Sequence, residues 1–208
     1  MLTDEQITQL SKRMEIPLAG VYFKDEIPKT IEFNKSYIIN LQDSTDEDGN
    51  DNSGTHWTFF QCNKYATGGK IECIFFDPYG APPSENIKTI LKKNCNISYI
   101  PHTNKDIQSL MNNACGFYCL ALAHFINSSL HRSKDLYTDV NQFMDLFDDL
   151  NTSIDWKKNE YILKMFFQAK DPKLRKEIDV IKPTNSILTE DTKGGFDGYK
   201  QAVDIKMV

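Results

Sequence analysis

The pattern of apolar and polar positions predicts a mixture of strands and helices. Runs rich in β-branched and aromatic residues predict strands at residues 36–41, 56–62, 70–76 and 97–100. The second and third runs are joined by NKYATGG, a connection containing glycine, so we expect them to pair as a hairpin. The segment DSTDEDGNDNSG, shortly before the run at residues 56–62, is acidic and has no apolar residue, which predicts a mobile surface loop.

Helical periodicity covers much of the remaining chain. It predicts helices over residues 3–14, in PPSENIKTILKKN, over residues 114–126, in VNQFMDLFDDL and over residues 155–168. Thr3 and Gln6 form a capping box at the start of the first helix. Strands and helices together predict an α+β fold, in which a small, mostly antiparallel sheet is flanked by helices. We expect the domain to span residues 1–170, followed by a polar, loosely held extension over residues 171–208.

Composition narrows the classes of function. A chain of 208 residues that is 40% hydrophobic can bury one substantial core. Its net charge of −5 at pH 7 does not attract nucleic acid, and it lacks an apolar run of about 18 residues that would span a membrane. We therefore expect neither partner. Five cysteines after a polar, acidic N-terminal stretch favour a reducing intracellular compartment, where thiols stay available for chemistry.

Cys115 is the candidate nucleophile. It begins the most apolar helix, where unpaired backbone N–H groups and the helix dipole favour a thiolate. Gly116 behind it is small enough for a substrate backbone to approach closely. From this helix alone, buried packing of Cys115 and Cys119 is the simpler interpretation, because free cysteine is among the most buried residue types.

A thiol nucleophile needs a histidine, and most of the four histidines are badly placed. His124 lies nine residues after Cys115 on the same helix, about 13 Å along the axis and on the opposite side. His131 is further away still. His102 follows a proline in a predicted loop and has no obvious orienting acid nearby.

His56 is the better candidate for the base. It begins a predicted strand directly after the acidic loop, and Asp77 ends the partner strand of the same hairpin. In an antiparallel hairpin these two positions are adjacent, so we expect the side chains to be neighbours. The carboxylate could fix the imidazole tautomer. Asp77 also precedes Pro-Tyr-Gly, which is typical of a turn, and both roles are compatible.

The blocks GTHWTFFQ, FFDPYG and IQSLMNNACGFYCLALAHF resemble the adenovirus protease (adenain) family, including relatives in virophages and Polinton-type elements. More distantly, they resemble SUMO-deconjugating enzymes. That family orders its site residues His, Asp or Glu, Gln and Cys, and the matching residues here are His56, Asp77, Gln108 and Cys115. The seven-residue interval from Gln108 to Cys115 and the His56-Trp57 dipeptide also match.

The resemblance covers about residues 5–130 and implies a cysteine endopeptidase. His56 would take the thiol proton of Cys115, and the thiolate would attack the scissile carbonyl. Gln108 and the backbone N–H of Cys115 would stabilise the oxyanion, while Asp77 orients the base. The orienting residue is Asp where the adenovirus enzyme has Glu. No cofactor, metal or activating peptide is implied for this chain.

The resemblance also implies a substrate class. Trp57 is either a core aromatic or the roof of a narrow substrate channel, with Gly116 on the substrate side. A roofed channel implies cleavage beside glycine, which makes Gly194-Gly195 a candidate self-cleavage site. The implied substrates are viral capsid precursors, processed in the virus factory of an infected cell and in the virion. Deconjugation of ubiquitin-like or SUMO-like modifiers is the alternative.

Two other interpretations are weaker. Cys62 and Cys73 may face each other across the hairpin, and with Cys119 and a histidine they could bind zinc, but the sequence has no CxxC knuckle. A binding module without activity is the other interpretation. The complete set of four site residues argues against it.

Overall fold

The computed structural model describes residues 1–66, 68–110, 112–127, 135–151 and 156–170, with the side chains of residues 168–170 excepted. The elements are α1 (Asp4–Arg13), β1 (Leu18–Phe23), β2 (Ser36–Asn40), β3 (Trp57–Lys64), β4 (Ile71–Phe76), α2 (Glu85–Cys95), α3 (Cys115–Asn127), α4 (Leu136–Met144) and α5 (Trp156–Lys170). The predicted extension over residues 171–208, with its Gly194-Gly195 pair, lies outside the described residues. None of the described helices is long and apolar enough to cross a lipid bilayer.

The four strands form one sheet in the order β1-β2-β3-β4. β1 is parallel to β2, whereas β2–β3 and β3–β4 are antiparallel. The predicted α+β fold, the mostly antiparallel sheet and the β3–β4 hairpin are therefore confirmed. In the hairpin Cys62 lies directly opposite Cys73, and a disulfide joins them. The predicted capping box of α1 is also present, with reciprocal hydrogen bonds between Thr3 and Gln6.

Both faces of the sheet are buried, because alternate strand residues enter two hydrophobic cores. In β3, Trp57 and Phe59 face the larger core, whereas Phe60 and Cys62 face the smaller one. The larger core contains residues of α1, α3, α4 and α5, and the smaller core contains residues of α2. The sheet thus lies between two helical layers and separates their side chains.

Helix α3 is the centre of the larger core. All of its residues except His124 and Asn127 are buried, as expected for a helix that is apolar on every side. It packs on β2 and β3 and also contacts α1, α4 and α5. The helix predicted over residues 114–126 is confirmed to within one residue, and its first residue is Cys115.

The strand predicted over residues 97–100 is wrong. This segment forms no regular strand, and the side chain of Tyr99 is 66% exposed. The chain reaches the sheet only afterwards, where His102 forms an isolated bridge with Phe75 of β4. The carbonyl of Pro101 accepts the Phe75 N–H at 2.9 Å, but proline has no N–H of its own to extend the ladder.

Two further elements differ from the pattern-based expectation. β1 is a strand that was not predicted, and all six of its residues are only partly buried. α4 begins and ends earlier than the helix predicted in VNQFMDLFDDL. Its start is set by Asp135, whose carboxylate accepts the N–H of Thr138 at 2.7 Å.

A tight turn follows β4 and brings the chain toward residues 104–108. The N–H of Gly80 donates to the carbonyl of Asp77 at 2.8 Å, and Gly80 has a φ of +73°. A Cβ at Gly80 would lie 2.9 Å from the backbone of Asn104. Only glycine satisfies both the positive φ and this close backbone contact.

We expect Gly80→Ala to lower the free energy of unfolding by about 2–4 kcal/mol, because the new methyl meets backbone that cannot move aside. Gly49→Ala is the matched control. Gly49 has a similar φ of +80°, but a Cβ there meets nothing within 4 Å. Gly49→Ala should lower the free energy of unfolding by only about 1 kcal/mol, because alanine is less stable than glycine at a positive φ. Urea denaturation measures both changes, and equal losses would show that the contact with Asn104 is unimportant.

Candidate active site

Cys115 lies at the N-terminus of α3 and is 2% exposed. The carbonyl of Ala114 accepts the N–H groups of Phe117 and Tyr118, so the helix begins at Cys115. One turn further along, the thiol of Cys119 contacts the carbonyl oxygen of Trp57 at 3.4 Å. This contact fixes the start of α3 beside the start of β3, where His56 lies.

His56 connects the hairpin to the thiol. Its Nε2 lies 2.7 Å from Oδ1 of Asp77, and the ring also forms a side-chain hydrogen bond with Cys115. Because Nε2 faces the carboxylate, Nδ1 is the nitrogen left to exchange a proton with the thiol. The His56 backbone is held as well, since its carbonyl accepts the N–H of Leu41 at 3.0 Å. The structure thus brings together a thiol, an imidazole and a carboxylate from three separate elements.

The pKa of His56 is raised from 6.5 to about 9. Burial alone would lower it, but the hydrogen bonds to Asp77 and Cys115 and their negative charges outweigh that effect. A protonated imidazole beside the sulfur is what a thiolate–imidazolium pair requires. The ring can therefore stay protonated beside the Cys115 sulfur at neutral pH.

Asp77 makes both of the contacts expected from the sequence, one to His56 and one within the turn. Its Oδ1 faces Nε2 of His56 and also accepts the backbone N–H of Tyr79 at 2.8 Å. The second bond closes the turn after β4, and the carboxylate is only 2% exposed. The turn therefore holds the carboxylate that orients the imidazole.

Gln108 lies near the site on the chain that precedes α3. Its backbone N–H donates to the carbonyl of Pro78 at 3.2 Å, and the residue is 1% exposed. Its side-chain Nε2 donates to the hydroxyl of Tyr79 and to the carbonyl of Asn112, both at 3.1 Å. The amide is thus held in one orientation. To act on an oxyanion, one of its N–H groups must turn away from a protein acceptor.

Tyr79 is a site residue that the sequence analysis treated only as part of a turn. Its ring stacks on the His56 ring, with centroids 4.5 Å apart and an angle of 16° between the planes. Its N–H binds Asp77, and its hydroxyl accepts from Gln108. Burial first, and then the nearby charge of Cys115, raise the pKa of this phenol. Tyr79 therefore contacts or influences all four predicted catalytic residues.

The two predicted substrate-binding residues lie in the core. Trp57 is completely buried, and its indole N–H donates to the carbonyl of Leu2 at 2.8 Å. This favours the core aromatic over the channel roof. A Cβ at Gly116 would lie 3.2 Å from Ile7 and 3.4 Å from Leu2 and Trp57. The N-terminal segment, rather than a substrate, occupies the space that Gly116 leaves.

The alternative zinc set is not assembled among the residues that the structure describes. Cys119 lies in the larger core, on the opposite face of the sheet from Cys62 and Cys73. The third sulfur near that pair belongs to Cys95. His102 bridges β4 at the sheet edge, as described above.

A comparison with protein families agrees with a cysteine protease-type enzyme. A family model described as ElaD/SseL-like C-terminal matches residues 50–157, just over half of the chain. Such domains are of the cysteine protease or deubiquitinase-like type. A search of curated proteins found no match. A solved structure of an AvrA deletion variant with IP6 and CoA is 15% identical, with a TM-score of 0.45, covering 96% of this chain and 85% of that one.

The raised pKa of His56 predicts its titration. The imidazolium should persist as the pH rises above 6.5 and lose its proton near pH 9. The stability that its pairing contributes is complete below pH 6.5 and is lost as the pH rises through about 9. In Asp77→Asn the midpoint should move to lower pH, since the bond to Asp77 is the main influence that raises the pKa. NMR of the histidine rings measures the midpoint directly.

Glu85→Gln is the matched control for that titration. It also removes one carboxylate, but from an exposed site on α2 that pairs with Lys88. The control should titrate like the wild type. A wild-type midpoint close to 6.5 would contradict the proposed ion pair.

Tyr79→Phe tests the link between the phenol and the amide. It keeps the ring on His56 but removes the acceptor of the Gln108 N–H, so we expect peptidase turnover to fall on the order of tenfold. If Gln108 acts through this contact, the double variant with Gln108→Ala should be no slower than Gln108→Ala alone. Tyr99→Phe, which alters an exposed phenol, is the control. If the fold-loss in turnover of the double variant equals the product of the two single losses, Tyr79 and Gln108 act independently.

Proposed function

The chain belongs to the ElaD/SseL-like C-terminal family, and we propose that it is a thiol peptidase whose nucleophile is Cys115. One observation carries this proposal. The His56 ring hydrogen bonds to Asp77 and to Cys115 at once, at the N-terminus of a buried helix. A structural ion pair would not need a free thiol on the second ring nitrogen. A base that activates a thiol does need it.

The proposed reaction proceeds through an acyl-enzyme. In the proposed ion pair the Cys115 proton already lies on Nδ1 of His56, and the sulfur attacks the carbonyl carbon of a peptide or isopeptide bond. The N–H of Cys115 at the helix start and the amide of Gln108 stabilise the oxyanion. His56 then gives its proton to the leaving amine. Water, activated by the same ring, hydrolyses the thioester and releases the carboxylate.

The first proposed substrate class is the C-terminus of a ubiquitin-like modifier. The family match supports it, because ElaD/SseL-like domains are protease or deubiquitinase-like. Leu110, which lies between Gln108 and Cys115 in the sequence, is also an exposed apolar side chain, at 79%. It offers a contact for an apolar residue of an extended substrate.

A second substrate class rests on the resemblance to adenain-type enzymes. In this version the chain cleaves viral capsid precursors beside glycine, within an infected cell and in the virion. The buried Trp57 removes the channel roof as a reason for glycine preference, so that preference rests on the resemblance alone. Polypeptides are the proposed partners in both versions.

A substrate panel separates the two classes. We expect intact ubiquitin-like and SUMO-like conjugates to be cleaved faster than Leu-x-Gly-Gly peptides if the modifier surface is recognised. Faster cleavage of the peptides would favour precursor processing. Cys115→Ala should abolish all turnover, and Gln108→Ala should lower it on the order of 10²–10³-fold.

Matched variants accompany the panel. Cys95→Ala removes a buried thiol on the other face of the sheet, and Gln9→Ala removes an exposed amide on α1. Both should retain most of the activity. If no substrate is cleaved and iodoacetamide does not alkylate Cys115 at neutral pH, the peptidase proposal is wrong.

A further inference from the structure

Three cysteines from three different elements meet in the smaller core. They are Cys62 of β3, Cys73 of β4 and Cys95, the last residue of α2. Their sulfur atoms all lie within 4.8 Å of one another, and the residues are at most 2% exposed. A disulfide joins Cys62 to Cys73, and the free thiol of Cys95 lies 2.9 Å from the sulfur of Cys73.

The surroundings of this cluster favour sulfur chemistry over metal binding. Within the described ranges, the group of potential metal ligands consists of these three cysteines and no fourth residue. Structural zinc sites almost always have four protein ligands. The neighbours in the smaller core are apolar side chains such as Ile87 and Leu91 of α2. Several thiolates there would be costly to bury without compensating charge.

We propose that the three cysteines form an internal disulfide-exchange site, in which Cys73 bonds alternately to Cys62 and to Cys95. The Cys95 thiol loses its proton, and its sulfur attacks the sulfur of Cys73. The bond from Cys73 to Cys62 breaks, and the released Cys62 thiolate takes up a proton. One disulfide and one thiol are present before and after, so the step needs no external oxidant or reductant.

The exchange moves a covalent link from one part of the fold to another. The first disulfide joins two strands that are already neighbours and closes a separation of 11 residues. The second would join β4 to the end of α2 and close a separation of 22 residues. The longer closed segment restricts the unfolded chain more strongly, so the second link would stabilise the fold against unfolding more than the first. The Cys73–Cys95 disulfide would also tether to β4 the start of the segment that leads from α2 to Gln108.

The rate of this exchange is limited by the small fraction of Cys95 that is in the thiolate form. Burial raises the pKa of Cys95 to about 11, so the thiol is almost fully protonated at neutral pH. The close contact between the sulfur atoms compensates in part, because the attacking group needs no diffusion. Exchange should therefore be slow near neutral pH and easier to observe at about pH 9.

Peptide mapping can distinguish the two links. Cleavage after Lys64, Lys70 and Lys93 places the three cysteines in three different tryptic peptides. The full chain is incubated at about pH 9, quenched with acid, alkylated at its free thiols and digested without reduction. We expect mass spectrometry of the wild type to find both linked pairs, Cys62–Cys73 and Cys73–Cys95.

Variants test which pairs of cysteines can form a disulfide. Cys62→Ala should contain only the link from Cys73 to Cys95, and Cys95→Ala should contain only the link from Cys62 to Cys73. Cys119→Ala is the control, because it lies across the sheet and should give the wild-type map. Circular dichroism checks that each variant folds.

Two results would overturn the proposal. One is a wild-type map with only the Cys62–Cys73 link after long incubation. The other is a purified protein in which all three cysteines hold a metal ion, detected by native mass spectrometry. The wild-type map decides the question even if Cys62→Ala does not fold. Since Cys115 takes no part, the outcome does not depend on the proposed peptidase activity.

Discussion

The burial of α3 on all sides is the constraint on which the site depends. A helix that is apolar on every side is stabilised most when all of its surface is buried. Here the sheet and three other helices bury it. Its N-terminus is then fixed relative to β3 through the contact of Cys119 with Trp57. Gly116 allows the N-terminal segment to close over the same place. The position of Cys115 is thus a consequence of core packing, and a thiol placed by the core needs no adjustment before it reacts.

The turn after β4 is the second constraint, and it connects groups that are distant in sequence. Its backbone and side chains bind Asp77, stack on His56 and hold the amide of Gln108. The carbonyl of Pro78 in the same turn accepts the N–H of Gln108. Because one short segment orients the base, its carboxylate and the amide, a change in this turn should affect all of them together. The site therefore behaves as one network rather than as four independent residues.

The part of the site that depends on the β3–β4 hairpin could be predicted from the sequence. The β3–β4 register ends at the pair Phe59–Phe76, with His56 three residues before it and Asp77 one residue after it. The hairpin therefore brings the two side chains close without placing them directly opposite each other. Trp57 could not be placed in the same way, because HWTFFQC is apolar on both faces and its pattern does not distinguish a roof from a core. The run at residues 97–100 is equally apolar but only connects α2 to the sheet edge. Long-range packing also brings α2 to the sheet, which is why the contact of Cys95 with Cys73 had no sequence signal.

The alternation of strand residues also separates two kinds of sulfur chemistry. Along β3, Trp57 faces the larger core with α3 and Cys115, whereas Cys62 faces α2 on the other side of the sheet. A disulfide in the smaller core therefore lies behind a layer of backbone from Cys115. Thiol–disulfide exchange requires direct approach of one sulfur to another, so this layer keeps the proposed nucleophile, Cys115, from exchanging with the disulfide. The same two-residue period that buries both faces of the sheet keeps a reactive thiol free in a chain of five cysteines.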